Sequence, residues 1–130
     1  MRKWIFGLTA ILVMGAGSIY LYAQQAPKPE KGMIVGEVID VTTYTMKGAR
    51  GEDMEEAGKY RAGLDFPIAI IEEETGDVFI AVYKNPAPAS QLTKANSILG
   101  EWMGKKVTVQ GRIYRAPGIN LIEIRVAYEY

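Results

Sequence analysis

Residues 90–114 read SQLTKANSILGEWMGKKVTVQGRIY, and two hydrophobic periods meet inside them. In the first half Leu92, Ala95, Ile98, Leu99 and Trp102 recur at helical spacing and share one face. Gly104-Lys105-Lys106 ends that helix, with glycine and basic residues where a helix C-terminus favours them. In the second half Val107, Val109, Gly111 and Ile113 alternate with Thr108, Gln110, Arg112 and Tyr114, the period of a half-buried strand. The stretch therefore predicts a helix over Ser90 to Met103 that hands over directly to a strand.

The flanking sequence supplies strands on both sides. Downstream, Pro117-Gly118 makes a turn, and Ile122, Ile124 and Val126 alternate with Leu121, Glu123 and Arg125 in a fifth strand. Upstream, Asn85-Pro86-Ala87-Pro88 interrupts the chain, and Val78 to Tyr83 alternates as strand three. Glu74-Thr75-Gly76-Asp77 reads as a hairpin turn, with Pro67 to Glu73 before it as strand two. Met33 to Thr43, rich in β-branched residues, is strand one, and Gly36 inside it predicts a bulge or sharp bend. Between strands one and two, Glu52, Asp53, Glu55 and Glu56 fit the first turns of a short helix that Gly63 stops. The order is β-β-β-α-β-β. That is the order of the OB-fold, whose helix plugs the barrel between strands three and four. The expected fold is mainly β, a five-stranded OB-like barrel (β-β-β-α-β-β) with one helix between strands 3 and 4; an open α+β roll is the alternative.

The N-terminal residues belong to another class. Arg2 and Lys3 precede an uncharged apolar stretch from Trp4 to Tyr22, and Ala23 is an acceptable residue before a signal-peptidase cut. The same stretch is close to the length that spans a bilayer. Residues 1–23 are expected to be a signal peptide or membrane anchor, 24–31 (QQAPKPEK) a proline-bearing linker, and 32–130 the barrel domain. The expected location is extracytoplasmic, periplasmic or secreted, with possible anchoring in the cytoplasmic membrane through residues 4–22.

Composition excludes much chemistry. The 130 residues contain no Cys and no His, which removes disulfides, thiolate catalysis, Cys/His zinc sites and Ser-His-Asp triads. Fifteen basic residues balance fifteen acidic ones, which is unfavourable for a nucleic-acid binder. The acidic cluster at 52–56 lacks the alternating oxygen spacing of a Ca²⁺ loop, and the methionines read as core filler. No phosphate-cradling loop or nucleophile elbow is present. No enzyme activity, cofactor or metal site is expected.

Three stretches carry a resemblance: Gly36 to Tyr44 (GEVIDVTTY), Gly48 to Gly51 (GARG) and Gly104 to Gly111 (GKKVTVQG). Over about residues 32 to 127 they resemble a group of small exported bacterial OB-like proteins, mostly uncharacterised. The resemblance implies a Cys at the position of Thr43, and a His and two Cys at about Met54, Ala57 and Arg61. This chain is a version of that pattern without those ligands, so metal or redox function does not carry over.

The expected function is non-catalytic binding by an exported or membrane-tethered OB module, to an envelope protein partner or a small ligand. The alternatives are a single-stranded oligonucleotide binder and a metal-handling accessory protein. Loops grafted on rigid barrels carry function, and Tyr and Arg dominate interface energetics. The candidate partner-binding residues are therefore Tyr44, Arg50, Tyr60, Arg61, Tyr83, Arg112 and Tyr114.

Overall fold

The computed structural model describes residues 28–83 and 95–130; the expected signal or anchor segment and residues 90–94 of the expected helix lie outside them. Five strands close into a barrel. They are β1 (Glu30–Asp40), β2 (Ile68–Glu72), β3 (Val78–Tyr83), β4 (Lys106–Ala116) and β5 (Ile119–Glu129). The order around the barrel is β1-β2-β3-β5-β4, returning to β1, and the β3–β5 seam is parallel while the other pairings are antiparallel. The expected OB-like barrel is what forms; the open roll is not.

Closure depends on β1 serving two neighbours. Gly36 sits opposite Glu72 of β2 and opposite Val107 of β4. A Cβ at Gly36 would run into the carbonyl of Ile71, so only glycine lets the strand bend this closely past β2. The second device is on β4–β5. The register slips between Gln110 and Gly111, and a Cβ at Gly111 would collide with the Glu123 carbonyl. Such a bulge adds the local twist a small barrel needs. Inward residues Ile34, Val38, Phe79, Val109 and Ile122 are fully buried and fill the interior.

Between β1 and β2 the chain makes two helices, α1 (Val41–Lys47) and α2 (Glu52–Gly63). Strand one was expected to run to Thr43, but it ends at Asp40. The Asp40 carboxylate accepts a hydrogen bond from the Thr43 backbone N–H at 2.8 Å, capping α1. The β-branched run Val41-Thr42-Thr43 is thus drawn into helix by its cap, against its own propensity. Gly48, at φ 65°, ends α1 in the left-handed region. The acidic residues do open α2, which ends at Gly63 as expected. At the other end of β1, Glu30 and Lys31 pair with Ile113 and Arg112, so the last two residues read as linker belong to the sheet.

Residues 95–99 are helical and continue into a 3₁₀ turn at Gly100–Trp102. Ala95, Leu99 and Met103 are fully buried against the barrel. Asn96 fastens this segment to the end of α2: its side-chain NH₂ donates to the carbonyls of Ala62 and Phe66, at 3.2 and 2.6 Å. Among the described residues no helix is long and apolar enough to cross a membrane.

Two glycines separate close approach from mere flexibility. Gly36→Ala should lower unfolding free energy by about 2 kcal/mol or more, because the backbone of β2 must move. Gly63→Ala, in open space at the end of α2, should be neutral or stabilise by up to about 1 kcal/mol. Urea denaturation of the two variants checks this; equal effects would mean β1 does not bend where the register places it.

Candidate functional site

Three separate stretches of sequence, at 36–38, 50–51 and 104–106, converge on one end of the barrel. The Glu37 carboxylate reaches from β1 and accepts from Arg50 Nε at 2.9 Å and from the Gly51 backbone N–H at 3.1 Å. Gly104 donates its N–H to the Val38 carbonyl at 2.8 Å, and Val38 returns an N–H to the Lys105 carbonyl at 3.0 Å. Gly104 has φ 77°, and a Cβ there would run into the Gly51 carbonyl. The glycines allow three backbone segments to touch, and Glu37 ties the α1–α2 loop onto the barrel wall.

A cleft of about 340 Å³ opens over this junction, lined among others by Glu37, Arg50, Glu72, Glu73 and Lys106. A second cleft, of about 270 Å³, shares Glu72 and Glu73 and adds Met33, Val35, Glu74 and Tyr130. The two cations in them are paired. Lys106 Nζ lies 2.7 Å from a Glu73 carboxylate oxygen and 3.8 Å from the centroid of the Tyr130 ring. Hydrogen bonding to Glu73 raises the Lys106 pKa above its ordinary value, and hydrogen bonding to Glu37 does the same for Arg50. Both cations stay charged at any physiological pH. Counting Glu37, Glu72, Glu73 and Glu74 against Arg50 and Lys106, the double cleft carries an excess of negative charge.

A buried ionic cluster lies at the end of β1. Asp40 is fully buried, and one of its carboxylate oxygens accepts from Arg61 Nε at 2.7 Å and from the Thr43 hydroxyl at 2.6 Å, as well as from the Thr43 N–H. The Asp40 backbone N–H points to the Met54 sulfur at 3.4 Å. The Arg61 guanidinium stacks on Phe66, 4.0 Å from the ring centroid. Thr43, Met54 and Arg61, three of the four positions where the resemblance would place Cys or His, therefore meet around Asp40. Ala57, the fourth, is exposed. Among the described residues no group of three or more metal-binding side chains comes together; in this cluster an arginine supplies the positive charge.

The seven candidate binding residues separate into groups. Arg50 lines the double cleft, and Tyr44, on α1, packs against the core. Arg61 is committed to Asp40 and is 26% exposed, so its role is to hold α2 against β1. Tyr60 stands out from α2, 71% exposed. Tyr83, at the end of β3, packs against the core. Arg112 and Tyr114 are on the outward face of β4, where the Tyr114 hydroxyl donates to Glu123 at 3.4 Å. Sequence reading missed Glu37, Glu73, Lys106 and Tyr130. The signal for Glu37 and Lys106 was their place inside the glycine-bounded stretches.

Comparison with known proteins returns no matching family model, no matching curated protein and no matching solved structure. Function is therefore argued from this geometry.

Arg61→Ala should destabilise the domain by about 3 kcal/mol, since it leaves the buried Asp40 carboxylate without its counter-charge. Tyr60→Ala on the same helix should change stability by less than about 0.5 kcal/mol. Denaturant melts of the two variants distinguish a structural arginine from a surface one.

Proposed function

We propose that this chain is a non-catalytic OB-fold binding module, exported or membrane-tethered, that takes a segment of an envelope protein partner in its double cleft. The observation that carries the reading is the junction at Glu37. A rigid barrel wall, a loop fastened to it by Arg50 and Gly51, and the Glu73–Lys106–Tyr130 stack frame two adjoining clefts. Each cation there has a carboxylate partner that a ligand can exchange for its own, which favours recognition over proton transfer. The negative excess and the wall of Val35 and Tyr130 fit a basic residue beside an apolar one on the partner. The N-terminal sequence, basic then apolar, supports the address.

The oligonucleotide alternative has less support. It would use Tyr44, Tyr83, Arg112, Tyr114, Arg115 and Arg125. Of these, Tyr44 and Tyr83 pack against the core, Tyr114 is bonded to Glu123 and Arg115 is paired with Asp77 at 3.6 Å, which leaves the cations Arg112 and Arg125 without a free tyrosine from that set. Base stacking needs a free aromatic face beside the cations.

The test is site-specific photo-crosslinking in the native host. A photoreactive residue at Tyr130 should give one discrete crosslinked species, and Glu73→Lys should abolish it by reversing the charge of the cleft. The same probe at Tyr60 should not give that species. No crosslink at Tyr130, or one indifferent to Glu73→Lys, would overturn the double cleft as the binding site.

A further inference from the structure

The outward face of β1, β4 and β5 holds a different charge pattern. Its register builds it in rows: Lys31 opposite Arg112 and Arg112 opposite Glu123, whose carboxylate accepts from Tyr114, then Met33 opposite Gln110 and Gln110 opposite Val126. Gln110 pairs with Val126 and Gly111 with Ile124, so Arg125 is the extra residue of the bulge and stands exposed between two rows. Gly32 and Gly111 face each other across β1 and β4, and backbone there forms part of the wall of a cleft of about 370 Å³ lined also by Lys31, Met33, Gln110 and Arg125. Among the described residues Lys31, Arg112 and Arg125 form no ion pair, unlike the cations of the double cleft. Beside them Met33 is 58% exposed, Val126 51% and Tyr128 44%.

We propose that this face docks on an anionic membrane surface, with Lys31, Arg112 and Arg125 on lipid phosphates and Met33 and Val126 reaching the apolar boundary. This rests on the tethered form of the reading above. Three observations favour that occupant. Unpaired cations next to exposed aliphatic side chains match a headgroup layer over hydrocarbon. Tyr128, next along the face, suits the membrane interface. Only residues 23–29 separate the apolar N-terminal stretch from Glu30, and such a length spans at most about 25 Å when fully extended. On the tethered form the start of β1, with Lys31 and its neighbour Arg112, is then held close to the bilayer. The cleft offers phosphate contacts but no aromatic side chain among its lining residues, which argues for headgroups rather than stacked bases.

The absence of cysteine lets one engineered label report from the middle of the face. Full-length chain carrying Gln110→Cys with a fluorescent label is placed in nanodiscs of equal parts phosphatidylglycerol and phosphatidylcholine, and quenching by lipid-borne nitroxide is read. Position 110 should be quenched in these discs and not in phosphatidylcholine alone, and a label at Tyr60→Cys should be quenched in neither. Lys31→Glu with Arg125→Glu should abolish the quenching while leaving the melting temperature near that of the parent. Equal quenching in both lipids, or at both positions, overturns the proposal. Displacement of the face from the disc by a single-stranded oligonucleotide also overturns it and assigns the cations to nucleic acid. The tether is tested separately by intact mass of chain taken from its host's membranes. A mass beginning after Ala23 removes the tether. The mature chain is then mixed with phosphatidylglycerol vesicles: partitioning that falls at least about fivefold per reversed charge keeps the face, and no partitioning removes it.

Discussion

The fold turns on the passage of β1 past β2 at Gly36. One residue is paired on both sides, with Glu72 and with Val107, and the carbonyl of Ile71 occupies the space a side chain would need. Everything beyond that point follows from the bend. It places Glu37 outward over the junction, Val38 inward beside Met103 through a bridge to the 3₁₀ turn, and Asp40 beneath the helices. A straight β1 could pair with β4 or with β2 along its length, but closing the barrel requires it to leave one for the other.

Burial of Asp40 is the second constraint. A buried carboxylate is costly unless it is neutralised and hydrogen-bonded. Arg61 provides the charge, and Thr43 provides two donors while starting α1. The other carboxylate oxygen is buried and has no hydrogen-bond partner. The network therefore does not exist for stability alone; it fixes where the strand stops and how α2 lies across the barrel. Tying Arg61 to Asp40 also fixes the Phe66 ring, whose backbone carbonyl receives Asn96. The helices and the 95–102 segment are held through one polar chain of contacts.

Strands were legible in the sequence because alternation is local: Val78–Tyr83 and the β4–β5 hairpin follow from side-chain period and a Pro-Gly turn. The end of β1 was not, because Val41, Thr42 and Thr43 carry strand propensity, and the deciding contact is a cap supplied by Asp40. The candidate site was read less well for a similar reason. Tyr and Arg were chosen by residue type, and type does not tell whether an arginine meets a buried carboxylate, as Arg61 does, or stands unpaired, as Arg112 does. Glu37 and Lys106 looked like ordinary surface charges. Only the register brings Glu37 opposite Lys106 and the α1–α2 loop over both.

Pairing also decides which part of the surface can answer to which ligand. In the double cleft Arg50 and Lys106 are already satisfied, so a partner gains there only by offering a geometry better than the one it replaces, which demands specificity. Lys31, Arg112 and Arg125 have no such prior commitment, and their attraction to an anion is limited mainly by screening, over about 8 Å at physiological salt. On the proposed reading the two regions do different work. The unpaired cations at the start of β1 give weak, non-directional attachment, and the paired cleft at the other end of the same rows gives choice of partner. The rows from Lys31 to Glu37 run along one strand for six residues, a separation of about 20 Å at strand rise. That is about two and a half Debye lengths, so charge at one end is felt only weakly at the other, and the two regions can answer to their ligands independently.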